Sequence, residues 1–132
     1  MASIVTRLSI RSKNLFANSL SARHDKVHSV DADADRRIKT IKAASGSPFT
    51  LIDATDYFAS GETVFVFIKN TTTVASKFIF VKIGSQVIAK LKPGAYALIP
   101  WFVADGSTDL LVYSNDASNG VKVEYFAVKE TT

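Results

Sequence analysis

The chain has 132 residues, a formal net charge of +4 and no cysteine, enough for one domain and too little for two. Without thiols it has no disulfide, thiolate metal site or cysteine nucleophile, so its stability must come from packing or from partner subunits, as suits assembly in a cytoplasm. The N-terminus, Met-Ala-Ser-Ile-Val-Thr-Arg-Leu, has no uninterrupted apolar run of signal-peptide length and no stretch of the sequence reaches about 18 apolar residues, so the sequence predicts neither secretion nor a membrane span.

Charge and aromatic rings are segregated along the chain. Residues 1–45 carry nine Lys or Arg against four Asp, a net charge of +5, while residues 46–132 carry seven against eight. All five arginines precede residue 38, and thirteen of the fourteen aromatics follow residue 45, Phe16 being the exception. A basic segment so poor in aromatics builds no core of its own and is drawn to acidic surfaces. The expected organisation is an extended basic N-terminal arm, 1–45, followed by a globular body, 46–132.

Within the arm the apolar positions are scattered: Ile4, Val5, Leu8 and Ile10, then Leu15 and Phe16, then Ile38 and Ile41. Fixing a backbone of this length costs on the order of 45 to 90 kcal/mol before contacts are counted, so the arm is expected to order only by docking on a partner. Its anchors are expected to be Ile4, Leu8, Ile10, Leu15 and Phe16, with Arg7, Arg11 and Arg23 making polar contacts on an acidic surface. The run 36–42 alternates like a strand and could add to an exposed sheet edge as a tether.

The body reads as closely spaced strands with turn residues between them, the pattern of an all-β antiparallel sandwich of jelly-roll type. Phe49–Ile52 is a candidate first strand, followed by 63–69, 77–83, Gln86–Leu91, Tyr96–Phe102, 109–114 and 121–128. Gly84-Ser85 suits a type II′ hairpin turn. Lys92-Pro93-Gly94-Ala95 places Pro and Gly at the centre of a type II turn. Pro100 cannot donate to a ladder, so Tyr96–Phe102 is expected at a sheet edge or broken there. Asn119-Gly120 reads as a hairpin dipeptide. Two strands are apolar on both faces: Val64, Val66 and Ile68 oppose Phe65 and Phe67, and Leu110 and Val112 oppose Leu111 and Tyr113. Their second face requires a cover, from the N-terminal segment, a neighbouring subunit or a closed core.

Chemistry-bearing constellations are sparse. Asp31, Asp33 and Asp35 sit at the odd positions of a calcium loop, but Arg36 stands where that loop needs Gly and no Glu closes it. His24 and His28 could share a helical face, yet no third ligand type completes a zinc site. Both histidines lie in the arm, away from a rigid scaffold, so a Ser–His–carboxylate arrangement is not expected. Asp53, Asp56, Glu62, Asp105 and Asp109 could pair as acid and base, but most adjoin turns, where Asp serves the backbone. No catalytic residue, metal or cofactor is therefore assigned. Trp101 and Phe102 are the candidate interface or ligand contacts, either as an exposed pair suited to sugar stacking or a hot spot, or as core and rim aromatics.

Residues 87–128 contain Lys92-Pro93-Gly94-Ala95-Tyr96-Ala97-Leu98-Ile99-Pro100-Trp101, then Thr108-Asp109-Leu110-Leu111-Val112-Tyr113-Ser114, then Val121-Lys122-Val123-Glu124-Tyr125-Phe126. This stretch resembles the small β-sandwich virion proteins of tailed bacteriophages. The resemblance implies a non-enzymatic capsid decoration (cement) or head accessory protein, present in many copies, its arm similar to the tethers that lace such proteins onto the shell. The expected partners are other copies of the chain, with a trimer as first expectation, and a major capsid or other virion protein; the expected location is the virion, assembled in the host cytoplasm. Two other readings are a carbohydrate-binding or host-attachment module of a tail or fibre, and a nucleic-acid-binding coat protein. The last is disfavoured because the arm's cations are dilute and interrupted by aspartates.

Overall fold

The computed structural model describes residues 2–12, 20–30, 36–57, 63–103 and 106–130. Ten strands account for nearly all of the regular structure: β1 (Ala2–Ser12), β2 (Leu20–Val30), β3 (Arg37–Ile41), β4 (Phe49–Ile52), β5 (Thr63–Asn70), β6 (Ile79–Ile83), β7 (Gln86–Leu91), β8 (Tyr96–Phe102), β9 (Leu110–Ser114) and β10 (Val121–Lys129). A 3₁₀ turn, Ala54–Asp56, is capped by the Asp53 carboxylate, which accepts from the Thr55 amide.

All pairings are antiparallel, and β3 to β10 form two four-stranded sheets ordered β3-β10-β5-β8 and β4-β9-β6-β7. Across the two sheets β3 associates with β10, β4 with β9, β5 with β8 and β6 with β7. This is one long folded-back hairpin rolled up so that successive rungs fall in opposite sheets, the jelly-roll arrangement. Gly84-Ser85 forms its tip. Gly84 has φ +57° and no other residue type has positive φ among the described residues, as a type II′ turn requires.

The core lies between the sheets and follows from alternation along each strand. From one sheet come Ile41, Val64, Val66, Ile68, Trp101, Val121 and Val123; from the other come Leu51, Ile79, Val81, Leu91, Leu110 and Val112. Asn70 is the polar member of this interior. Its Nδ2 donates to the carbonyls of Lys77 (3.1 Å) and Leu91 (2.9 Å), and its Oδ1 accepts from the Thr72 amide (3.1 Å). A buried amide is tolerated because these bonds satisfy it, and they tie the end of β5 to the segment before β6 and to the end of β7.

Most strand expectations hold within two residues. The Lys92-Pro93-Gly94-Ala95 turn closes with Ala95 N donating to Lys92 O (2.9 Å) and Gly94 at φ +78°. Pro100 sits in the edge strand β8 without breaking it. Asn119-Gly120 does not join neighbouring hairpin strands: β9 and β10 lie in different sheets, and Gly120, at φ +79°, ends a loop crossing between them. The same dipeptide supplies positive φ in either setting, which is why local sequence does not separate them.

The basic segment takes two forms. Residues 37–41 add β3 to a sheet edge, pairing with β10 of the same chain. The strand expected to tether a partner therefore completes its own sandwich. Ahead of it, β1 and β2 pair along eleven positions from Ala2↔Val30 to Ser12↔Leu20, a ribbon about 37 Å long at ordinary strand rise. Its contacts within the chain are cross-strand pairing and docking of its base on the sandwich.

Candidate partner-binding surface

The outer face of the β3-β10-β5-β8 sheet carries the second set of apolar side chains read from the sequence. Register places Phe67 beside Phe126 and Leu98, and Phe65 beside Val128 and Pro100. Phe67 and Phe126 stack with centroids 5.2 Å apart. An uncovered face of this composition is unfavourable in water, and the base of the β1–β2 hairpin covers part of it: Ala2 and Ile4 pack with Phe126 around the buried Phe65 and Val128. Of the covers considered, the chain's own N-terminal segment is the one observed here. On the outer face of the other sheet Phe80 and Tyr113 stack at 4.8 Å, both half-buried, with the Lys90 ammonium 5.8 Å from the Phe80 ring centroid and Val87 and Ile88 exposed on β7.

His28 fastens the hairpin. Its ring lies edge-on to Phe65 at 4.5 Å, Nε2 is 3.1 Å from Thr6 Oγ1, and Nδ1 is 3.4 Å from Glu130 Oε1. The imidazole is buried while both ring nitrogens face polar atoms, which removes the cost of burying them unpaired. Thr6, Leu8, His24 and Lys26 from the hairpin, and Tyr96 and Leu98 from β8, border a cleft of about 640 Å³ also reached by Arg7 and Asp25.

The opposite face of the hairpin shows the cross-strand pair Val5 and Val27, both exposed. Beyond it lies an ion cluster in which Arg23 Nη2 donates to Asp25 Oδ2 at 3.0 Å and Arg7 Nε lies 4.0 Å from the same oxygen. These groups are largely solvated, so the cluster organises charge more than it stabilises the fold. Over strands β1 and β2 the sequence has Arg7, Arg11, Arg23 and Lys26 against the one carboxylate of Asp25, leaving a cationic ribbon.

The expected anchors separate by position. Ile4 faces the sandwich and is spent on docking the hairpin. Leu8 is exposed at the cleft, and Arg7 and Arg23 meet at Asp25. Leu15 and Phe16, and the side chains of Ile10 and Arg11, lie outside the described residues. Trp101 is 6% exposed in the core whereas Phe102 is 60% exposed, so the two do not form a joint exposed platform. His24 and His28 sit in a strand, one at the cleft and one buried against Phe65, and among the described residues no three His, Cys, Asp or Glu side chains group as metal ligands. Asp31, Asp33, Asp35, Glu62 and Asp105 lie outside the described residues.

Asp53 and Asp109 have backbone roles. Asp53 is held below the usual carboxylate range by hydrogen bonds from the Thr55 hydroxyl and amide, and Asp109 accepts from the Ala54 amide at 2.8 Å. Thr6, Glu130, Tyr96 and Leu98 are surface-forming residues that the sequence reading did not single out. They converge from three strand regions far apart in the chain, which no local pattern reveals. No protein-family model matches the chain, and no curated protein is similar to it.

Proposed function

We propose that the chain is a non-enzymatic structural protein of a virus particle, a decoration or head accessory protein of tailed-bacteriophage type, attached through its N-terminal hairpin. The observation that carries this reading is a cationic two-stranded ribbon fastened to the sandwich at its base by Ile4 and His28 and, farther along, exposed beside a cleft with β8. A lone two-stranded ribbon is marginal in water, so its outer part gains stability by lying against another surface. With four cations and one carboxylate over its two strands, that surface is acidic. Jelly rolls recur in capsid proteins; that support is fold-level analogy, and it agrees with the resemblance carried by residues 87–128.

Self-association belongs to the same proposal. The half-buried Phe80–Tyr113 stack with exposed Val87 and Ile88 is an apolar surface on the sheet opposite the hairpin, suited to burial against a second copy. The reading is tested by quantitative mass spectrometry of purified particles of the virus that encodes the chain. The expected result is the chain in many copies per particle, removed together by deletion of its gene; a chain absent from particles, or present at trace level, overturns it.

A further inference from the structure

The cleft between the hairpin and β8 adds Tyr96 and Leu98, which hairpin attachment does not use, to one edge of the cationic ribbon. Its floor is apolar and open: Tyr96 is 64% exposed, Leu8 48% and Leu98 39%. The Tyr96 ring leans on Phe67 with centroids 6.2 Å apart, which steadies it while leaving a face free. Around this floor stand Thr6, His24, Arg7 and Lys26. The one carboxylate at the cleft, Asp25, is already engaged by Arg23 at 3.0 Å, so the local field is positive. A volume of about 640 Å³ falls in the range of small-molecule sites, roughly 300 to 1,000 Å³.

We propose that this cleft binds an acidic saccharide, an inference that goes beyond the attachment role and does not depend on it. A pyranose presents a flat C–H face and a ring of hydroxyls. The first fits the exposed face of Tyr96 with Leu8 and Leu98 beside it, and the second matches the donors and acceptors of Thr6 and His24. The acid group is selected by the exposed Lys26, which borders the cleft beside Thr6, whereas Arg7 is drawn to Asp25 on the other face of the hairpin. An acidic peptide is the weaker fit: strand addition along β8 needs a continuous row of donors, and Pro100 interrupts that edge.

The test uses the full chain on an array of sialylated and uronic-acid saccharides with their neutral counterparts, followed by calorimetric titration of the best binder. Acidic saccharides are expected to be retained above neutral ones, with affinity falling as salt rises. Tyr96→Ala should weaken binding by about tenfold, the scale of losing one apolar ring contact. Lys26→Gln should narrow the preference for acid over neutral, and both variants should keep the wild-type circular dichroism because their side chains are exposed. Retention of no acidic saccharide above the neutral set overturns the proposal. So does wild-type affinity in Tyr96→Ala, or equal binding of polyglutamate that ignores Tyr96, the behaviour of a general cationic patch. Saccharide retention and particle attachment are separate readouts, and because Lys26 belongs to the cationic ribbon, Tyr96→Ala is the variant expected to lose saccharide while keeping attachment.

Discussion

Replacing His28 by alanine should open the hairpin while leaving the sandwich intact. The substitution removes a ring packed edge-on to Phe65 at 4.5 Å and a 3.1 Å contact with Thr6 Oγ1. An aromatic pair of this kind contributes about 1 kcal/mol beyond burial, and a net hydrogen bond contributes about 1 kcal/mol. The Glu130 contact, with its carboxylate 30% exposed, is left out because solvent screens it. The sum, about 2 kcal/mol, corresponds to a roughly 30-fold rise in the open fraction of the hairpin. Native-state hydrogen exchange reads this directly: amides of β1 and β2 should lose roughly 30-fold in protection while those of β5 and β9 keep theirs. Equal losses in all four strands would show that His28 supports the whole fold, and unchanged protection in β1 and β2 would show that it fastens nothing.

Four further outcomes follow from contacts elsewhere in the sandwich. Asn70→Ala strips partners from two buried-side carbonyls and one amide, and should cost about 3 kcal/mol or more in chemical denaturation; a cost under about 1 kcal/mol contradicts the bonding described. At Gly120 a Cβ would stand 2.5 Å from Thr40 Cγ2 and 2.9 Å from Lys42 Cγ, so Gly120→Ala should displace β3 and expose its amides to exchange. Gly94→Ala, with positive φ but nothing within 4 Å, should cost only about 1 to 2 kcal/mol of backbone strain. Asp116 is held low by the Asn119 amide and by Lys77, and Asp53 by Thr55. Both pKa values are depressed in the folded state, so their stabilisation is present above the unfolded value of about 3.9 and lost as pH falls below it. Thermal midpoints should therefore drop on acidification below about pH 4, and less steeply in Asp116→Asn than in the wild type.

The sandwich was legible because its signals are local. Gly84, the Pro93-Gly94 pair and Pro100 each dictate a backbone conformation or forbid a hydrogen bond, and the Val/Ile/Phe runs between them have the period of a strand. The doubly apolar run at 63–69 also announced that its outer face needed a cover. The hairpin was less legible. In β1, Ile4, Leu8 and Ile10 share even positions while Ser3, Arg7, Ser9 and Arg11 take odd ones, a strand period hidden by the low apolar content. In β2 the partners are mostly charged or small, and residues 13–19 contain neither Gly nor Pro to mark a turn. What pairs these strands is docking of Ile4 and His28 on Phe65 and Val128, a contact between residues 102 positions apart in its His28–Glu130 component. The cleft was illegible for the same reason, since Tyr96 meets Thr6 and Lys26 only after the jelly roll has closed.

The central claim is that the cationic hairpin attaches this protein to a larger assembly. Its most direct test is co-sedimentation of the purified full chain with virus particles lacking it, comparing wild type with the Arg7→Glu, Arg11→Glu, Arg23→Glu triple variant. The account predicts that the wild type pellets with particles and that the triple variant, folded with an unchanged thermal midpoint, stays in solution. A folded triple variant that pellets as fully as the wild type contradicts it.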